Sequence, residues 1–81
     1  MFDYTVFPDN SPEKFAEVCN TIGKRFERAK KKKLLVDVDG TTIQEFLLND
    51  KSITVFDDYE IGAVFIKSDV ELNFVKNYWE Q

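Results

Sequence analysis

The sequence predicts an α+β fold of two layers: a mostly antiparallel meander of four to five strands, one long helix over about residues 12–30 packed on it, and a short C-terminal helix. Three observations predict it. Apolar residues recur at helical spacing after Ser11 and Pro12. Turn signals then divide residues 34–69 into short runs. A second capping pattern begins at Ser68. The 81 residues are expected to form one domain, 1–81, whose stability is modest because so short a chain buries roughly 60–65% of the surface its unfolded form exposes, less than a larger domain does.

In chain order, Phe2 to Phe7 reads as a strand and Pro8-Asp9-Asn10 as a turn. Ser11 is placed to cap a helix, Pro12 has the fixed φ suited to its first position, and Glu13 lies near the positive end of its dipole. Phe15, Val18, Cys19, Ile22, Phe26 and Ala29 then form one helical stripe. Gly23 lies inside it, unfavourable by up to ~1 kcal/mol relative to Ala, and is expected to let the helix approach the sheet.

Leu34 to Val38 is the next strand, and Asp39-Gly40 reads as a two-residue hairpin turn because both positions tolerate positive φ. Thr41 to Leu48, Ser52 to Phe56 and Ile61 to Lys67 continue the meander, joined through Asn49-Asp50-Lys51 and Asp57-Asp58-Tyr59-Glu60. Ser68-Asp69-Val70-Glu71 has the form of a capping box opening a final helix that carries Val70, Leu72, Phe74, Val75, Tyr78 and Trp79, with a strand through Val70, Leu72 and Phe74 as the alternative. The strands are apolar on both faces in places, as in Val64 and Ile66 beside Ala63 and Phe65. One face is expected to pack on the helix. The other calls for cover from the C-terminal segment, a second copy in a homodimer, or a partner.

Charge is divided unevenly. Lys24, Arg25, Arg28, Lys30, Lys31, Lys32 and Lys33 are seven of the eleven basic residues. Residues 1–33 carry eight basic and five acidic side chains, a net of +3, and residues 34–81 three basic and ten acidic, a net of −7. Such asymmetry speaks to partners and not to fold. There is no histidine and one cysteine, so a Cys/His zinc site, an intramolecular disulfide and the common nucleophile–histidine pairs are excluded by count. Cys19 is expected to be a buried core residue. Neither a signal peptide nor a spanning segment is expected, and the expected location is the cytoplasm.

Leu34-Leu35-Val36-Asp37-Val38-Asp39-Gly40-Thr41 resembles the first motif of the haloacid-dehalogenase-type phosphatases, a hydrophobic strand followed by Asp-x-Asp-Gly-Thr. The resemblance implies Asp37 as nucleophile, Asp39 as general acid, Thr41 on phosphate, bound magnesium, and Lys67 with Asp57-Asp58 as later motifs. It covers about eight residues. That family has a doubly wound parallel sheet, whereas the forty residues after Thr41 read as a meander without the crossovers such a sheet needs. The hairpin reading of Asp39-Gly40 is therefore preferred.

Two surfaces remain. Asp37, Asp39, Asp57, Asp58 and Glu60 lie near turns, and with the aromatics Tyr59 and Trp79 they form a candidate recognition face for a basic protein. The leading expectation is a non-catalytic acidic inhibitor of a nuclease or other nucleic-acid enzyme, of the kind seen in immunity proteins, antitoxins or phage-encoded inhibitors, with no cofactor and no metal. The alternative is a small nucleic-acid-binding module using Lys24, Arg25, Arg28 and Lys30–Lys33, since clustered cations neutralise phosphates.

Overall fold

In a computed structural model, which describes residues 1–75, the described residues form a 14-residue helix and a six-stranded, wholly antiparallel sheet. The strands are β1 (Phe2–Phe7), β2 (Lys30–Lys31), β3 (Leu35–Val36), β4 (Thr42–Leu48), β5 (Lys51–Asp58) and β6 (Ala63–Ser68); α1 spans Pro12–Arg25. The sheet order is β1-β6-β5-β4-β2, with β3 also pairing β4. Expectations of four to five strands were too few, because the stretch from Lys30 to Val36 supplies two short strands along one edge of β4.

The helix starts where its sequence signals place it. Ser11 Oγ accepts from Lys14 N at 3.1 Å, and Pro12 occupies the first turn. It ends earlier than residue 30. Phe26 leaves helical geometry at φ −123°, ψ 69°, while its N–H still donates to Ile22 O. Beyond it only Ala29 is apolar before Leu34, and a continued helix would stack Arg28 over Lys31 and Lys32 as like charges. The chain instead turns, Ala29 N donating to Phe26 O, and Lys30 and Lys31 pair with Leu47 and Phe46. Phe26 and Ala29 still pack on the core, from a non-helical backbone. Gly23 makes no close approach: a Cβ placed there would meet nothing within 4 Å.

Alternation along the strands decides which side chains face α1. Tyr4 and Val6 on β1, Val64 and Ile66 on β6, Ile53 and Val55 on β5, and Phe46 on β4 share that face, and Phe15, Val18, Cys19 and Ile22 pack onto it from the helix. Leu72, Phe74 and Val75 close the same core from beyond β6. Cys19 is buried, and that burial pushes its thiol pKa up to about 11, with Lys31 acting weakly in the opposite direction.

No C-terminal helix follows Ser68 directly. Ser68 Oγ accepts from Val70 N and donates to Val70 O, which closes a tight turn, and Leu72 N donates to the Tyr4 hydroxyl at 2.8 Å. Those bonds hold Asp69–Leu72 in a non-helical path, and helical backbone begins only at Phe74. The rest of the expected helix, with Tyr78 and Trp79, lies outside the described residues.

The other face of the sheet carries an apolar row. Leu35 pairs with Ile43, Ile43 with Phe56, and Phe56 with Phe65, whose rings stack at 4.7 Å and 13°. Among the described residues nothing covers this row.

Candidate functional site

Three connections meet at one end of the sheet: the β1–α1 loop at Pro8–Ser11, the β3–β4 turn at Asp37–Thr41, and the β5–β6 turn at Asp58–Gly62. The last is bonded to both others. Asn10 Nδ2 donates to Asp58 O, and Tyr59 N donates to Thr41 Oγ1 at 3.2 Å. None of the three carries a basic residue, and together they hold Asp9, Asp37, Asp39, Asp58 and Glu60.

Each turn has a local cause. Asp37 N donates to Thr41 O, and Gly40 N to Asp37 O, so the β3–β4 connection is a three-residue loop and not the two-residue turn expected at Asp39-Gly40. Gly40 alone takes positive φ, at 91°. This is the turn-plus-left-handed-residue geometry of three-residue hairpins. Asp39 Oδ1 accepts from Thr41 N at 2.9 Å, and that N–H is the main cause that holds the Asp39 carboxyl below its ordinary pKa. In the β5–β6 turn, Asp58 Oδ1 accepts from Ile61 N at 2.9 Å and Gly62 takes φ 72°.

The sequence-predicted site divides here. Asp37, Asp39, Tyr59 and Glu60 are exposed together at this end, and Asp58 is half-buried beside them. Tyr59 is 60% exposed. Asp57 does not join them at the surface. It is 4% exposed on the helix-facing side of β5, and its Oδ1 accepts from Ser11 N at 3.1 Å and Asn10 Nδ2 at 3.3 Å. It ties the start of α1 to the sheet, and the alternation Ile53, Val55, Asp57 was the signal for its inward orientation. Trp79 lies outside the described residues. The sequence reading overlooked the apolar residues set among these acids: Val36, Val38 and Ile61 are all exposed.

The basic residues gather at the opposite end. Lys24, Arg25 and Arg28, with Phe26, Leu48 and one acidic residue, Glu27, line a surface concavity of about 340 Å³ beyond the C-terminus of α1. The Arg25 guanidinium lies 4.9 Å from the centre of the Phe74 ring. Lys30, Lys31, Lys32 and Lys33 are exposed along the outer edge of β4. Lysines on an edge strand discourage pairing with other chains, so this run has a structural task that the sequence did not reveal. Gln44, buried, donates to Lys32 O where β2 breaks from β3 and so satisfies that carbonyl.

Compared with family models, curated proteins and solved structures, the chain matches none. The parallel doubly wound sheet implied by the phosphatase-like run is not its architecture: Asp37 and Asp39 sit on an antiparallel hairpin, and Asp57 is buried in a structural network. Among the described residues no group of His, Cys, Asp or Glu is arranged to hold a metal ion, and no helix is long and apolar enough to cross a membrane.

Proposed function

We propose that the protein is a non-catalytic binding protein whose acidic end engages a basic nucleic-acid-processing protein and neutralises it. The observation that carries this reading is the convergence of three loops that bear Asp9, Asp37, Asp39, Asp58 and Glu60, and no cation, around the exposed ring of Tyr59. A fixed acidic surface steers a basic partner toward it, and an aromatic held in place by its neighbours supplies an anchor at little entropic cost. The helix supports the same field: its positive end lies at the acidic loops and its negative end at the lysines and arginines, so neither charge cluster opposes its dipole.

The test is inhibition. Capture from the native host with the immobilised chain should return a basic nuclease or related enzyme, whose activity falls on titration with the chain. A Tyr59→Ala, Glu60→Lys variant should lose both capture and inhibition. Equal inhibition by the variant overturns the reading.

A concavity in which three cations, Lys24, Arg25 and Arg28, outnumber Glu27, with the exposed Lys30–Lys33 on the neighbouring edge, supports a second reading, nucleic-acid binding by these seven basic residues. Its signature is an affinity that falls steeply with salt and whose salt dependence flattens when Lys30–Lys33 are changed to Gln.

A further inference from the structure

The uncovered face of the sheet is ordered in rows, because residues paired across an antiparallel ladder point to the same side. One row is apolar: Leu35, Ile43, Phe56 and Phe65, ending at Thr5 on β1. The row beside it is charged. Glu45 pairs with Thr54, Thr54 with Lys67, and Lys67 with Asp3. Lys32 extends this row at the other edge: its N–H donates to Glu45 O, in line with the pairing of Lys31 to Phe46. Across the sheet the row therefore reads Lys32, Glu45, Thr54, Lys67, Asp3, or cation, anion, neutral, cation, anion. None of its four charged side chains makes an ion pair with another described residue.

That order is the negative of its own reverse. Turned end for end about Thr54, each cation falls on an anion and Thr54 falls on itself. Self-complementarity under one twofold rotation is what a symmetric dimer requires of its interface. An unrelated partner places no such demand on the order of charges.

We infer that the protein forms a face-to-face dimer through this side of the sheet, about a twofold axis that runs along β5 between the two sheets. Such an axis keeps strand direction and reverses strand order. Glu45 of one copy faces Lys67 of the other, Lys32 faces Asp3, and Thr54 faces Thr54. In the apolar row Phe56 meets Phe56 and Ile43 meets Phe65. Sheets stacked in this way cross at about 30° and stand about 10 Å apart, with side chains of the two inner faces filling the gap. The alternative twofold axis, along the apolar row, sets Glu45 against Thr41 and Lys67 against Ala63, and matches no charge.

Five strands about 4.8 Å apart and two rows about 7 Å apart give a contact of roughly 24 by 15 Å. It buries on the order of 700 Å² in total, below the ~1,200–2,000 Å² of stable complexes, so the dimer is weak and forms at high micromolar concentration or above. The two acidic ends lie side by side in it. Their repulsion is screened beyond about 8 Å at physiological ionic strength, which is the condition for the test.

Sedimentation equilibrium of the unmodified chain, from micromolar to millimolar concentration, should show a monomer–dimer transition. Glu45→Lys and Lys67→Glu should each weaken the dimer by about tenfold, because each turns two attractions between copies into two repulsions. The double variant carries both changes, restores the match and should dimerise like the unmodified chain. An equimolar mixture of the two single variants should form a heterodimer more readily than either variant dimerises alone. Charges that serve only their own chain, Glu45 beside Lys32 and Lys67 beside Asp3, would give no such rescue. Thr54→Glu sets two carboxylates at the axis and should abolish the dimer with the far-ultraviolet circular dichroism unchanged. A chain monomeric at every concentration overturns the inference. So does a dimer that the single charge reversals leave intact, or one that the mixture fails to restore.

Discussion

The ring of Tyr59 lies against Gly40, so close that a Cβ placed on Gly40 would stand 3.1 Å from Tyr59 Cδ2. Two turns separated by the length of β4 and β5 are thereby in contact, through this ring and through the bond from Tyr59 N to Thr41 Oγ1, and one side of the exposed aromatic rests on the β3–β4 turn. Glycine suits this position for its φ of 91°, and a side chain there would also press on the Tyr59 ring.

Gly40→Ala should therefore destabilise the fold by about 1–2 kcal/mol, the usual penalty for a side chain in the left-handed region, and displace Tyr59 as well. Urea unfolding measures the first effect. Tyr59 fluorescence quenching or ring-proton shifts measure the second. An unchanged Tyr59 environment would show that the two turns are not coupled.

Asp57 should behave as a structural residue. Its Oδ1 satisfies Ser11 N, a half-buried donor, and loss of the acceptor is unfavourable by about 1 kcal/mol. Asp57→Ala should lower the urea midpoint accordingly while leaving the partner's association rate within twofold, since its carboxylate does not reach the surface. Glu60→Lys should do the reverse, with a stability change of a few tenths of a kcal/mol, about what an exposed charge contributes.

Cys19 sets an alkaline limit. Below pH 9 its thiol is neutral in both states. Between pH 9 and about 11 the unfolded chain ionises while the buried thiol stays protonated, so the unfolded state gains and stability falls as pH rises. Chemical denaturation of the parent and of Cys19→Ala from pH 7 to 11 should show a steeper decline for the parent above pH 9. Parallel curves would mean that the thiol is not buried in solution.

Local signals were legible in the sequence and long-range ones were not. The start of α1 could be read because Ser11 and Pro12 act within one turn, and the Asn49-Asp50 hairpin because Asn49 tolerates the left-handed region it adopts at φ 60°. The end of α1 was misread because Phe26 and Ala29 keep helical spacing, yet reach the core after the helix has stopped. Periodicity cannot distinguish those cases. The pairing of β1 with β6 depends on residues some sixty positions apart, as Tyr4 with Ile66, and no local pattern encodes it. For the site, the acidic character of one end was visible in composition. The burial of Asp57 was hidden because a carboxylate among turn-forming residues looks the same whether it faces Ser11 N or water. The lysine run read as a helix end because its task as a strand edge exists only once β4 lies beside it.

The central claim is that the acidic end steers a basic partner, and association kinetics at several salt concentrations test it most directly. Reversal of Asp9, Asp37 and Glu60 to Lys, residues exposed at that end, should slow association at least tenfold at low salt and flatten its salt dependence, while the four-lysine change at Lys30–Lys33 to Gln should leave or raise the rate. Tyr59→Ala should act instead on dissociation, by about 2 kcal/mol or more if the ring is an anchor. An association rate unchanged by the three reversals, or one lost on removal of the lysines, would contradict the account.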